Sequence, residues 1–328
     1  MRSGIALLCL VLAANAFADS RIDQAKSEGE LVWYTSMDGT DAEKVLKPFR
    51  ERHPYLDVVM VRANGRTMRS SILAEERDGR FVWDVASFSV LDIDALARDK
   101  VLAEYVSPET KSGFPPGTVD PDGRWAAIYL RHYVVGFNTR LVSPADAPKS
   151  WQDLLSRRWA GRFGMDEGDV DWYAAMIDYW GRKKGAAFMR ALAAEKPQLR
   201  SGHAQIVQEL AAGRISLALL TVNEVEQAAA RGAPLQWVKT LDPIIVAPTE
   251  AAISVKAAHP AAARLFVDYL LSRQGQLEIR RSGRVPARID LGEARPMALL
   301  KLYPMDAHLT PKLPEYEAEF RRILADVR

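Results

Sequence analysis

Cysteine is almost missing. The 328-residue chain holds one, Cys9, which excludes a disulfide framework and every metal site built from clustered thiolates. An excess of one charge is missing as well: 44 Lys and Arg stand against 42 Asp and Glu, a formal net charge of +2. No bulk field therefore draws the protein to nucleic acid or to an acidic membrane surface. The apolar run Ile5 to Ala14 falls short of the roughly 20 residues a bilayer span needs, and no later segment is longer. Three catalytic signatures are also absent: a Gly-x-Ser-x-Gly elbow, a Gly-x-x-x-x-Gly-Lys phosphate loop and a His-Glu-x-x-His helix. The five histidines, at 53, 132, 203, 259 and 308, show no metal-ligand spacing. The expectation is a protein that is not an enzyme and carries no cofactor and no metal.

Hydrophobic residues make up 48% of the chain and charged residues 26%, an ordinary globular composition. The length allows two domains at about 150 residues each. Arg2, the apolar run and the small residues of Ala16-Phe17-Ala18 form a secretory leader with cleavage after Ala18. Cleavage removes Cys9, and a cysteine-free mature chain suits an oxidising compartment.

After the leader the apolar periodicity alternates. Leu31 to Tyr34 reads as a buried strand, and Thr40 with Glu43 as a capping box opening a helix. Asp57–Val61 and Trp83–Ala86 are further strands, Met68–Arg77 a helix, and Ser89 the cap of another. Strand and helix in alternation imply a parallel sheet with right-handed crossovers, and ligands of such sheets lie beyond the strands' carboxyl ends. Arg124–Asn138 and Leu235–Val246 read as long extended stretches bracketing a middle α/β block. Within that block, Trp172, Ala175, Met176, Tyr179 and Trp180 follow helical spacing, and Ile215–Leu220 is a buried strand. The acidic run Asp166-Glu167-Gly168-Asp169 stops short of a calcium loop and reads as a solvated loop.

Several blocks in order carry a resemblance: Gly29-Glu30-Leu31-Val32-Trp33-Tyr34, Trp83-Asp84-Val85, Gly136-Phe137-Asn138-Thr139, Pro148-Lys149-Ser150-Trp151, Trp159-Ala160-Gly161-Arg162 and His259-Pro260-Ala261-Ala262. Over essentially the whole mature chain the sequence resembles the extracellular solute-binding proteins of bacterial ABC importers, in the branch that holds ferric-iron, thiamine, and phosphonate or sugar-phosphate binders. The resemblance implies an α/β, two-lobed periplasmic binding protein fold of type II. Each lobe would be a mixed sheet flanked by helices, with two extended interlobe crossings. The expected boundaries are 1–18 for the signal peptide, 19–131 plus 246–328 for lobe 1, and 132–245 for lobe 2, with hinges near Arg131–Tyr133 and Asp242–Ile244. It also implies a periplasmic monomer that closes on a small-molecule solute and presents it to an ABC permease in the inner membrane, with no nucleic-acid partner. A ligand sensor would use the same closure.

Relatives that hold ferric iron place an adjacent tyrosine pair just after the strand matching Ile215–Leu220. Here that place reads Thr221-Val222-Asn223-Glu224, and the chain has no Tyr-Tyr pair. The candidate contacts are Tyr34, Thr35, Ser36, Ser87 and Ser89 at strand ends and helix starts, where free N–H groups favour an anion. Arg66 and Arg131 offer bidentate donors. Tyr173, at a helix start whose Trp172 takes the apolar stripe, is expected to face the cleft, joined by His203 and Asn223. The expected solute is small, organic and anionic, with phosphonates, phosphorylated sugars, carboxylates, chelated iron and a cationic vitamin all open.

Overall fold

The computed structural model describes residues 20–292 and 300–325; the leader and its cleavage position lie outside them. Helix α1 (20–28) leads into β1 (Glu30–Thr35), α2 (Gly39–Arg52), β2 (Asp57–Arg62), α3 (Gly65–Arg77), β3 (Val85–Ser89) and α4 (Val90–Arg98). The long strand β4 (Ala126–Asn138) is followed by β5 (Phe163–Asp166), α5 (Val170–Trp180), α6 (Arg182–Ala194), β6 (Gln198–Arg200) and α7 (His203–Ala211). Then come β7 (Leu217–Thr221), α8 (Val222–Ala230), β8 (Leu235–Trp237) and β9 (Ile244–Ile253). Helices α9 (Pro260–Leu271) and α10 (Arg273–Arg281), short strands β10 (Val285–Pro286) and β11 (Leu302–Pro304), and α11 (Leu313–Ala325) complete the chain. Among the described residues no helix is long and apolar enough to cross a membrane.

The chain forms two compact units. The first takes the residues up to Phe88, Leu96–Ile128 and Glu250–Ser282; the second takes Ser89–Ala95, Tyr129–Thr249 and Gly283–Arg328. The expected boundaries gave 246–328 to one lobe, whereas here Gly283–Arg328 groups with the second unit. The physical reason is packing: β11 pairs with Ile244–Val246, and Tyr316 and Phe320 of α11 join the core around Tyr173.

In the first unit β1 lies between β2 and β3, parallel to both. Leu31, Val32, Trp33 and Tyr34 are all buried, the near-continuous apolar run of a strand covered on both faces. Phe49 and Trp33 meet Phe266 edge-on at centroid distances of 5.0 and 5.1 Å. Buried Asp84 accepts hydrogen bonds from the N–H groups of Val32 and His259, so the Trp83-Asp84-Val85 block ties β1 to the start of α9. The Glu28 carboxylate accepts the N–H groups of Ala261 and Ala262 in the first turn of that helix, where a negative charge also meets the dipole favourably.

In the second unit β5 lies parallel to both β6 and β7, and β7 pairs antiparallel with β4. Asn138, at the end of β4, is buried and donates to the Leu210 carbonyl at 2.7 Å, satisfying a free acceptor at the end of α7.

Three local expectations change. Helix α2 is capped by Asp38, whose carboxylate accepts the Thr40 N–H, so Thr40 lies inside the first turn; Asp caps as well as Thr does, and Gly39 already enters the helix. The second long extended stretch is Ile244–Ile253, not Leu235–Val246. Buried Thr249 and Glu250 interrupt its apolar pattern and concealed its length. Finally, Trp172 and Tyr173 are both 1% exposed. Helix α5 is covered on more than one side, with Trp172 against Trp151 and Tyr173 against Phe320 and Tyr316, so it has no single core-facing stripe.

The turn between α9 and α10 depends on Gly275, where a Cβ would stand 1.9 Å from the Tyr269 carbonyl oxygen. Gly275→Ala must shift backbone and is expected to cost about 2 kcal/mol, in the range of core overpacking. A lowered unfolding temperature with unchanged far-UV circular dichroism checks this.

Candidate functional site

Because β5, β6 and β7 run parallel, their carboxyl ends share one edge of the second unit. Each passes there into a helix: β5 into α5, β6 into α7 and β7 into α8. Three helix N-termini, each with unsatisfied N–H groups and partial positive charge, therefore collect at this edge. The antiparallel β4 brings Tyr133 opposite Thr221 and places Arg131 two residues before it.

Eight side chains meet there in one network. His203, at the start of α7, has Nε2 3.0 Å from Asp169 Oδ1 and Nδ1 2.9 Å from Glu224 Oε2. Glu224 closes a capping box on α8, accepting the Thr221 N–H and hydroxyl at 2.7 Å each. Asp169 also accepts the Asp166 N–H, which together with the Gly168 N–H donated to Asp166 winds the acidic run into a tight turn. Arg131 donates to the Tyr133 hydroxyl at 2.8 Å and to Asp171 at 2.7 Å. The Tyr133 ring stands edge-on to His203, with centroids 6.4 Å apart. Asn223 is buried and accepts from the Thr221 hydroxyl.

The network sets its own charges. Burial opposes the imidazolium of His203, but Glu224 and Asp169 outweigh it and hold the proton well above the ordinary value of 6.5. Burial would likewise raise Glu224, yet His203 and the two Thr221 donors bring it down to about 2. Asp169 is the exception: burial dominates and lifts it to about 6 despite His203. Desolvation also raises Tyr133 well above its ordinary range, so the phenol stays neutral.

The first unit has a smaller polar edge. Thr35, the last residue of β1, and Ser87, in the middle of β3, sit opposite each other, fully buried, with hydroxyl oxygens 2.7 Å apart. Trp33 Nε1 donates to Ser87 and the Met37 N–H to Thr35, so both hydroxyls are engaged in holding the strand ends. Ser36 beside them is half-buried.

The sequence-predicted residues thus divide. Arg131, His203 and Asn223 come together in the second unit, and Thr35, Ser36 and Ser87 in the first. Tyr34 stands apart from that hydroxyl cluster: its hydroxyl donates to Glu75, and burial and then Glu75 push its pKa up to about 12. Arg66 is exposed in the first turn of α3. Ser89 is buried and donates to Asp92. Tyr173 is a correction, since it belongs to the core and not to a polar edge. The candidate residues omitted Tyr133, Asp169, Asp171, Thr221 and Glu224, and Asp169, expected in a solvated loop, is 3% exposed. Only Glu224 carried a signal, the Thr-x-x-Glu capping spacing directly after a buried strand. Among the described residues no group of three or more His, Cys, Asp or Glu is placed to hold a metal ion.

A histidine whose folded pKa is raised contributes stability that is complete below its unfolded value and is lost as pH rises through the folded one. The unfolding temperature is therefore expected to fall through the alkaline range in the wild type. In His203→Gln it starts lower and lacks that decline. Thermal unfolding from about pH 6 to about pH 10 checks this, and parallel curves would remove His203 as the cause.

Comparison with known proteins places this geometry. Residues 93–312 match the family model described as bacterial extracellular solute-binding protein. The Fe(3+)-binding periplasmic protein of Serratia marcescens is 23% identical over 212 residues, 62% of each chain. The match thus spans less than two thirds of that relative's length. Among solved structures, iron-bound HitA from Pseudomonas aeruginosa superposes with a TM-score of 0.79 at 20% identity, covering 90% of this chain and 99% of that one. The periplasmic binding protein AfuA from Actinobacillus pleuropneumoniae, with fructose-6-phosphate bound, has the same TM-score and identity over 90% and 97%. The fold is the type II periplasmic binding protein fold.

Proposed function

The chain belongs to the bacterial extracellular solute-binding protein family, and from that premise we propose that it captures a small, hydroxylated organic anion in the periplasm and delivers it to the permease of an ABC importer. The observation that carries this reading is the meeting of three helix N-termini with Arg131, His203, Asp169 and Glu224 at one edge of the second unit. Helix-terminal N–H groups and cationic side chains suit an anionic group. The carboxylates beside them suit hydroxyl donors, which a bare inorganic ion lacks. A few fixed polar groups with aromatic Tyr133 alongside are the usual furniture of a site for a small organic molecule.

Iron is the competing solute, named for the Serratia and Pseudomonas relatives. Both ring nitrogens of His203 are taken by carboxylates, and the tyrosine pair is absent from the sequence. The donor set therefore favours the organic anion.

Native mass spectrometry of protein isolated from its own periplasm, followed by denaturation, is expected to release a stoichiometric phosphorylated or carboxylated compound. Arg131→Gln should bind that compound at least about tenfold more weakly, the loss of one charge-assisted contact. Retained iron with no organic component would overturn the reading.

A further inference from the structure

His203 is held by two carboxylates at once, and this fixes a proton count. Nε2 lies 3.0 Å from Asp169, while Nδ1 lies 2.9 and 3.0 Å from the two oxygens of Glu224. Each contact needs a hydrogen, and a neutral imidazole supplies only one. With both carboxylates ionised the ring is therefore an imidazolium, and one buried and one half-buried carboxylate share its single charge.

They do not share it equally. Glu224 receives two further donors from Thr221, its N–H and its hydroxyl, both at 2.7 Å. Asp169 receives one, the Asp166 N–H at the long distance of 3.2 Å, and is more enclosed: its side chain is 4% exposed against 26% for Glu224. The titratable groups around Asp169 are His203 on α7, Glu224 on α8, Asp171 on its own helix, Asp166 and Glu167 in the preceding turn, and Arg131 and the neutral Tyr133 on β4. Arg131 is already paired with Asp171. Within the ion-paired set of His203, Arg131, Asp169, Glu224 and Asp171, two cations thus face three carboxylates, one net negative charge, to which Asp166 and Glu167 add from the turn, and Asp169 is the weakest-held anion.

We propose that Asp169 is a proton switch for the solute site: in mildly acidic surroundings it takes a proton from solvent while His203 stays charged, and the ion-paired set passes from one net negative charge to neutral. The direction of the Asp169 shift agrees, since burial raises it to about 6. Neutralisation removes a repulsion from any anion bound at this edge, so affinity for an anionic solute rises as pH falls. This consequence rests on the anionic-solute reading; the switch itself does not.

The test uses the full mature chain. Carboxyl-carbon NMR of protein labelled at aspartate, titrated from about pH 4 to about pH 8, is expected to show Asp169 changing state near 6, assigned by its loss in Asp169→Asn. The His203 ring signals should stay flat across that interval. A carboxylate that remains ionised to pH 4, or a His203 that titrates in its place, overturns the switch.

The consequence is read with glucose 6-sulfate, whose charge does not change with pH. Wild-type affinity should rise about fivefold on acidification, the scale of one unit charge at partly screened distance. Asp169→Asn should bind at the tighter level throughout. A pH-independent affinity equal in both proteins overturns the coupling. A probe that binds at no pH, beside a titrating Asp169, counts against the solute class and leaves the switch standing. Glu224→Gln provides a second variant should Asp169→Asn fold poorly; it should lower the His203 pKa and bring its ring signals into the titrated interval.

Discussion

One imidazolium between a buried and a half-buried carboxylate governs the polar edge of the second unit. Taking charges out of water costs several kcal/mol each, and the cost is recovered only when every charge meets a partner in good geometry. Here each partner belongs to a different helix start: Asp169 precedes α5, His203 opens α7, and Glu224 sits in the first turn of α8. Removing any one leaves an uncompensated charge at the others. The network therefore fixes the spacing of three helix N-termini, and with it the positions of the N–H groups that a solute would meet.

The first unit solves the same problem without charge. Its strand ends are joined by neutral hydroxyls that hydrogen-bond to each other and to the Trp33 indole, and its core is fastened by Phe49, Trp33 and Phe266. The two polar edges therefore differ in kind. One is a neutral and largely self-satisfied clasp, the other a charged network with a surplus carboxylate.

Fold similarity alone does not choose a solute, because one scaffold hosts many sites. Structures alike to the same degree hold iron in one case and fructose-6-phosphate in another. In this chain the segment after β7 is Thr221-Val222-Asn223-Glu224, which builds a capping box that serves His203. A carboxylate committed in that way has a structural partner already, which is why the chemistry of this edge has to be read from the network as a whole.

The sequence by itself determined the class of fold, and the order of its ordered blocks carried the family. Buried strands such as Leu31–Tyr34 and Leu217–Thr221 were legible because a strand covered on both faces is continuously apolar. His203 and Asn223 were legible as candidates because each is polar at a strand end or helix start, and Arg131 because it is a charge on a long extended stretch. Tertiary structure alone decided which of them meet. Tyr133 meets Thr221 only through strand register, and Asp171 meets Arg131 across 40 residues of chain, so nothing local marks either of them. Tyr173 looked free because periodicity describes one covered face, whereas α5 is covered on more than one. Strand pairing and the packing of α11 act between residues far apart in the chain, and local pattern does not contain them.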